Sequence, residues 1–398
     1  MPAPTLAELA PAGHDLAADP YPVYAALRDK GPVHRVLVPG SGECSLVVAW
    51  DVGRVALADS RLGNDIRHSS SWRTDGGHAL GRNMLQSDPP QHTRLRRLVA
   101  EYFTPGRVAA LRPRIEEIAG ELLSALPEHG TADLVSRYAL PLPVTVICDL
   151  LGVPAADRTV FHGWSNELVM PTSPEKAASA AGELTGYLAE LTARKAAAPD
   201  GTLLSDLAVA PGITAEELLG MAFLLLVAGH ETTVDLISAT VHSLLTHPDQ
   251  LQLLRADLGL VSGAVEESLR YNSPVHSTAF RFAVEPLELA GTRIAAGDAV
   301  LVSLAAASRD PLHFPDPDRF DLTRRPQGHL GFGHGLHHCL GAPLARAEAT
   351  TALRLLIQRR RAMAFATDPA QLTWRTSTLL RGLAELPVSF GQLGERPR

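Results

Sequence analysis

A chain of 398 residues, 45% hydrophobic and 20% charged, can bury one sizeable core, and its 30 prolines and 32 glycines are too scattered to mark a linker. A net charge of −7 and a pI near 6.1 argue against a general nucleic-acid binder. Three cysteines far apart, Cys44, Cys148 and Cys339, suit a reducing cytoplasm rather than a disulfide scaffold, and Met1 to Asp15 lack the basic and apolar regions of a signal peptide.

Along the chain, Tyr21 to Arg28 has a helical pattern, and Val33 to Trp50 reads as a hairpin turning at Pro39-Gly40-Ser41-Gly42. Gly63 to Leu85 is polar and irregular, the composition of a long functional loop. Helical periodicity runs from His92 to about Ala256, broken at Pro105, Pro127, Pro154, Pro171 and Pro211. Short strands follow Tyr271, at Leu287 to Leu289 and Ala299 to Leu304, then a turn-rich meander from Asp310 to Arg325. The longest apolar run, Leu218 to Gly229, is about 12 residues where a membrane span needs about 20, so no membrane is expected. The whole chain, 1–398, is expected to form one mainly α-helical domain. Its β-rich part should lie mostly within 30–60 and 275–310, plus the C-terminus.

Thr214 to His247 reads as one helix, capped by Thr214 with Glu217 and stopped by Pro248. Its apolar residues Leu218 and Phe223 to Val227 lie on all sides, which predicts burial of the first half. Ala228-Gly229-His230-Glu231-Thr232-Thr233 interrupts that apolar rod. Glycine costs about 1 kcal/mol in a helix interior, and a buried Glu or Thr costs more unless bonded. Thr232 can bond back to the Ala228 carbonyl.

Downstream, Glu267 and Arg270 in Glu266-Glu267-Ser268-Leu269-Arg270-Tyr271 share a helix face on an apolar strip with Val265 and Leu269. The most telling stretch is Phe332-Gly333-His334-Gly335-Leu336-His337-His338-Cys339-Leu340-Gly341, followed by a helix-like run from Ala342 to Arg359. Gly333 and Gly335 would let the backbone approach a flat partner. A thiolate at Cys339 would gain from the helix N-terminus, which suits a metal-ligating sulfur. The run His334, His337, His338, Cys339 has no second ligand pair of the kind zinc requires. Cys44 and Cys148 read as structural.

The cysteine loop resembles the haem-binding signature of the cytochrome P450 monooxygenases, with Phe332, Gly335, His337, Cys339 and Gly341 filling its positions. Ala228 to Thr233 resembles the oxygen-activation motif of that family, Glu267 and Arg270 its E-x-x-R pair, and Asp88 to Arg97 its haem-flanking helix. Small departures exist: Ser308 stands where Asn is common, and Pro286 where Asp is common.

The resemblance implies a cytochrome P450 fold, a large helical domain with a small β-rich subdomain, carrying heme b (iron protoporphyrin IX) on the Cys339 thiolate. By the same resemblance Thr232 would hydrogen-bond dioxygen and Glu231 would relay protons to it, while Ala228 and Gly229 leave room beside the haem. His92, Arg96, Arg281 and His337 would hold the propionates, with Phe332, Gly333 and Gly341 shaping the loop. Glu267, Arg270 and Arg319 would form a structural ion-pair network. The implied reaction inserts one atom of O2 into a C–H bond or alkene of a hydrophobic secondary metabolite.

The closest likeness is to soluble, cytoplasmic bacterial members acting on macrolides and other polyketides in antibiotic biosynthesis. A steroid, terpenoid or xenobiotic is the alternative substrate. A haem-fold protein that only recruits a partner, or a haem sensor, is the non-enzymatic alternative. Electrons would come from ferredoxin and ferredoxin reductase, and Arg94, Arg96, Arg97, Arg112 and Arg114 suggest a basic docking face. The expected substrate walls include Gly63–Leu85, Phe161–Gly182, the run after Pro274, and Thr378 to Leu380. Arg67, His68, Trp72 and Arg73 are either substrate contacts or solvent-facing loop residues.

Overall fold

The computed structural model describes residues 3–71, 81–169, 171–325 and 328–391. Trp72 and Arg73 lie outside the described residues. Helices α1 (Leu6–Leu9) and α2 (Tyr21–Lys30) precede the hairpin β1 (Val33–Val38) and β2 (Gly42–Val47). The expected hairpin therefore ends earlier, because Trp50 opens α3 (Trp50–Ala58). A short β3 (Leu62–Gly63) comes next, ending at the first residue of the stretch expected to be irregular.

The helical stretch then runs through α4 (Gln91–Val99), α5 (Pro105–Ser124), a strand β4 (Gly130–Asp133), α6 (Pro141–Leu151), α7 (Arg158–Val169), α8 (Pro174–Ala197), α9 (Leu203–Ala208), α10 (Ala215–Thr246), α11 (Pro248–Ala256) and α12 (Val261–Tyr271). Of the expected proline breaks, Pro105 opens α5 and Pro127, Pro154, Pro171 and Pro211 fall between elements, while Pro113 is accommodated inside α5. Pro105, Pro141, Pro174 and Pro248 each sit in a first turn. β4 is a strand that helical periodicity hid: its four residues pair with a strand more than 250 residues away.

The C-terminal third supplies β5 (Arg281–Ala283), β6 (Leu287–Leu289), β7 (Thr292–Ile294), β8 (Ala299–Val302), α13 (Leu304–Ala307), α14 (Ala342–Arg359), β9 (Met363–Phe365), β10 (Trp374–Thr376), β11 (Arg381–Leu383) and β12 (Pro387–Phe390). A five-stranded sheet has the order β1-β2-β8-β5-β3, parallel only between β2 and β8. It joins the two expected β-rich segments. β4, β12 and β9 form a three-stranded sheet, and β10 pairs with β11.

One large apolar cluster is shared by the helices around α10, and two smaller ones flank the five-stranded sheet. At 32 residues α10 is about 48 Å long and crosses the helical part. Its N-cap is the Thr214–Glu217 capping box. Among the described residues, α10 alone is long and apolar enough to cross a membrane, contrary to what its interrupted apolar run suggested. Its apolar window is 72% buried in protein, which marks a core helix. Burial extends past the expected first half: Met221, Ala222, Leu225 and Leu226 are buried as expected and the half after Thr232 nearly all so, whereas Phe223, Leu224, Val227 and Ala228 face a cavity.

Candidate active site

The cavity holds about 580 Å³ and is walled mainly by apolar side chains of α10, the run after Pro274, the β10–β11 turn and the cysteine loop. Ala228, Gly229, Glu231, Thr232, Arg281, Phe332, Gly333, His337, Cys339 and Gly341 all line it. Of the expected outer walls, Asn64, Asn83 and Leu85 contribute from the irregular loop, and Leu168 from α7. Phe161 is fully buried elsewhere. Arg67 turns to Asp65 in a short ion pair and His68 to Asp88 at 3.3 Å, so neither points at the cavity as a free group.

The cysteine loop is held by backbone geometry. Gly333 and Gly335 both take φ of +71°, the left-handed region, and the Gly333 N–H reaches the Leu330 carbonyl at 2.7 Å. The Cys339 N–H donates to the Phe332 carbonyl at 2.9 Å, closing the loop. Gly335 makes room for the protein's own backbone rather than for a flat partner: a Cβ there would lie 2.6 Å from the Leu57 carbonyl of α3. Cys339 opens into the cavity while protein surrounds it on its other sides. Desolvation pushes its thiol up, opposed by the N–H groups of Gly341 and Ala342 at the start of α14 and by Arg96 and Arg346.

Above the loop, Thr232 Oγ1 donates to the Ala228 carbonyl at 3.2 Å, as expected, and remains partly open to the cavity. Glu231 is buried and paired with His230 Nε2 at 3.1 Å. Gly229 serves packing as well as the cavity: a Cβ would meet Ile147 of α6 at 2.8 Å, so the glycine admits α6 against α10. To one side His92 stacks obliquely on His337, ring centroids 4.4 Å apart, and Arg281 lies buried nearby. Arg96 donates to the His338 carbonyl at 2.8 Å.

Comparison with known proteins decides what this site belongs to. The family model described as Cytochrome P450 matches residues 200–370. The cytochrome P450 monooxygenase PikC of Streptomyces venezuelae is 51% identical over 97% of this chain and 95% of its own. 

The chain is a cytochrome P450.

It is a monooxygenase of that family. The 6-deoxyerythronolide B hydroxylase of Saccharopolyspora erythraea is 42% identical over 93% of this chain and 96% of its own. The structure of the tirandamycin C-bound P450 monooxygenase TamI superposes with a TM-score of 0.90 at 44% identity, covering 95% of this chain and 99% of that one.

The P450 family implies a haem iron on a cysteine thiolate, and the residues present fit that group. Among the described residues, the buried His92 has neither ring nitrogen bonded, and the buried Arg281 Nε is also without a partner. Burial, with the charges of His92, Arg281 and Arg96, lowers the His337 pKa to about 3. Four cationic or cationisable groups thus converge. The one carboxylate whose charge acts on His92 and Arg281 is Asp88, which bonds the Asn64 and Asp65 N–H groups and His68 instead, so the unbonded nitrogens fit a pair of propionates.

The structural network of this P450 departs from expectation at one position. Glu267 and Arg270 are both fully buried and bidentate, Nε–Oε2 and Nη2–Oε1 each 2.8 Å. Arg319 does not complete them: its side chain is 65% exposed and sits 3.5 Å from Asp321. Arg324 does, donating from Nε to Glu267 Oε1 at 3.2 Å with 13% of its side chain exposed. Only the Arg319 backbone carbonyl joins the network, accepting from Arg270. The meander turns sharply enough to bring Arg324 inward and leave Arg319 in solvent, which residue spacing alone could not reveal.

Two buried carboxyls escaped the sequence reading, since nothing in their spacing marks them. Glu348 of α14 has both oxygens unbonded among the described residues, and burial raises its pKa well above normal. Asp235, one turn after Glu231, is likewise unbonded, and burial with the Glu231 charge pushes its pKa up to about 8. It lies against Gly382, where a Cβ would fall 1.8 Å from Asp235 Oδ1.

A carboxyl whose folded pKa exceeds its unfolded value binds more protons when folded, so its cost grows as pH rises from about 4 to about 8. Asp235→Asn is therefore expected to stabilise the protein on the order of 2–4 kcal/mol at pH 8, with the gain fading toward pH 4. Urea midpoints of both proteins across that range check the slope. A gain independent of pH would mean that Asp235 does not titrate there.

Proposed function

We propose that the chain hydroxylates or epoxidises a hydrophobic secondary metabolite, a macrolide or other polyketide, working as one domain over 1–398. The observation that carries this reading is the cavity that brings Cys339, Thr232 and Glu231 onto one apolar chamber. The names of similar proteins support the substrate class: 6-deoxyerythronolide B hydroxylase, mycinamicin IV hydroxylase/epoxidase, and a P450 of the bacillaene polyketide synthase. A sterol-like substrate is the second reading, favoured by 46% identity to a vitamin D(3) 25-hydroxylase of Pseudonocardia autotrophica.

In this reading heme b, when bound, supplies the activation of O2. Cys339 would ligate the iron as a thiolate, with the Gly341 and Ala342 N–H groups and Arg96 holding the sulfur's charge. His92, Arg96, Arg281 and His337 would hold the propionates. Phe332, Gly333 and Gly341 shape the loop, with Arg346 lying over the Phe332 ring at 4.4 Å. Thr232 keeps its hydroxyl at the cavity wall, beside a small residue, Ala228. Glu231 would pass a proton toward that wall, and the apolar lining excludes competing water.

The test is to supply the purified holoenzyme with O2, ferredoxin, ferredoxin reductase and NADPH, and to screen macrolide aglycones, linear polyketides and vitamin D3. Product heavier by one oxygen from a polyketide supports the first reading, and turnover confined to vitamin D3 supports the second. No product from either class, in protein with a thiolate-type carbon monoxide spectrum, would sink both.

We place the protein in the cytoplasm with ferredoxin as its electron donor. Of the five arginines first grouped as a docking face, Arg94 pairs with Glu217, Arg114 with Asp149 and Glu117, and Arg96 turns toward the cysteine loop. Arg97 and Arg112 are exposed, with no ion-pair partner among the described residues. Charge reversal at both is expected to slow reduction by ferredoxin about tenfold at low salt, with little effect at high salt. Unchanged stopped-flow reduction would place the docking face elsewhere.

A further inference from the structure

Behind Thr232, on the side of α10 facing α7 and β10, Glu231 joins a polar cluster whose other members, His230, Ser165 and His162, the reaction described above does not use. His230 and Ser165 are fully buried and Glu231 nearly so. His230 Nδ1 meets the Leu226 carbonyl at 2.8 Å, and Nε2 meets Glu231 Oε1 at 3.1 Å. The Ser165 hydroxyl lies 3.3 Å from that Nε2 and 3.4 Å from that Oε1. The ligand atoms of His162, His230 and Glu231 all fall within 4.8 Å of one another, and His162 is only half-buried.

The bonding leaves little choice of protonation state. A carbonyl only accepts, so Nδ1 must carry a hydrogen. Nε2 would then present a lone pair to a carboxylate oxygen unless one proton sits between them. A bare Nε2 facing an ionised Glu231 at 3.1 Å would set two acceptors against each other in a buried site, which is costly. The other groups facing the pair are His162 of α7, Arg375 of β10 and Asp235 of α10. Glu231 is desolvated, yet the His230 bond and the charges of His230, His162 and Arg375 hold it below the usual carboxylate range, which puts the proton on Nε2.

We propose that His230 and Glu231 share a single proton, the reserve for the proton that Glu231 passes toward Thr232, and that Ser165 and His162 are the positioning residues through which solvent replaces it. This rests on the monooxygenase reading above. The step is a proton transfer without electron movement. The His230 Nε2–H bond breaks as an O–H bond forms on Glu231 Oε1, the carboxyl proton leaves into the cavity at Thr232, and Nε2 regains a proton from solvent through His162. A gap of under 5 Å between His162 and the pair is one that a single water spans.

The first test needs no turnover. In 15N-histidine-labelled holoenzyme, held as the diamagnetic ferrous carbon monoxide complex at pH 7, the His230 signals are identified by their loss in His230→Phe. The expected result is protonation at both ring nitrogens, with Nε2 losing its proton in Glu231→Gln. A bare Nε2 in the unsubstituted protein would overturn the proposal, whether or not the variant folds.

The second test uses His230→Phe and Ser165→Ala with an unaltered carbon monoxide spectrum. His230→Phe is expected to raise peroxide release per electron pair about tenfold and to enlarge the solvent deuterium effect on oxygenation. Ser165→Ala should shift both in the same direction by less. Peroxide release and isotope effect equal to those of the parent in His230→Phe would overturn the proposal. Loss of the thiolate-type spectrum in the parent protein would instead overturn the monooxygenase reading, and the Nε2 measurement would still decide the shared proton.

Discussion

Cys339→Ser is expected to abolish oxygenation and to move the carbon monoxide band of the reduced protein from the strongly red-shifted position of thiolate-ligated haem to the ordinary one. A serine hydroxyl is about the same size, so the loop should survive: its Cys339 N–H to Phe332 carbonyl bond and its two left-handed glycines do not involve the sulfur. What is lost is the anionic, polarisable ligand whose electron donation favours O–O cleavage. No other cysteine can take over. Cys44 and Cys148 are fully buried in the β-side and helical clusters, and desolvation pushes both thiols up to about 12. A red-shifted band persisting in Cys339→Ser would therefore refute the ligand assignment outright.

The second large effect falls on the buried ion pair of α12. All five N–H groups of Arg270 are engaged: Nε and one on Nη2 with Glu267, the rest with the carbonyls of Ser308, Pro317 and Arg319. Glu267 Oε1 also accepts from the Asp321 N–H and from Arg324. One side-chain pair thereby ties α12 to the whole meander that leads into the cysteine loop.

Glu267→Ala leaves an unpaired guanidinium with no exposure, at a cost of about 3–5 kcal/mol. Against a total stability of about 5–15 kcal/mol, that should sharply reduce soluble holoprotein. Many buried ion pairs can be exchanged for apolar residues without loss. This one should not, because Glu267→Leu with Arg270→Leu would still orphan the Ser308 and Pro317 carbonyls. Recovery of full yield and urea resistance in that double variant would refute the account.

Two further substitutions separate the corrected assignment from the expected one. Arg324→Ala should cost about 1.5–3 kcal/mol, the value of charge-assisted bonds at a largely buried site. Arg319→Ala should stay within about 0.5 kcal/mol, since its side chain lies mostly in solvent. The reverse order would restore Arg319 to the network.

Much of the site was legible because its chemistry is local. Gly333, Gly335 and Cys339 fall within seven residues, and the turn they make depends on left-handed glycines and a short backbone bond that spacing encodes. The Thr214–Glu217 cap, the Thr232 bond to the Ala228 carbonyl and the Glu267–Arg270 face are likewise set by helical offsets of three and four. The hairpin turn was legible from its glycines and proline, though not its last residue, where Trp50 was claimed by a helix.

What the sequence by itself determined, then, is the cysteine loop with its two glycines, the long helix with its polar interruption, and the order of motifs along the chain. Only the tertiary structure decided which side chains meet across the chain. It placed Arg324 rather than Arg319 on Glu267, set Leu57 against Gly335 and Ile147 against Gly229, buried the second half of α10 as well as much of the first, and brought Ser165 and His162 of α7 to His230 and Glu231. Periodicity reports that a helix has an apolar face, but not which neighbour covers it or where a cavity interrupts the cover. Contacts between residues tens to hundreds of positions apart depend on how helices and meander pack in three dimensions, and no short-range spacing carries that information.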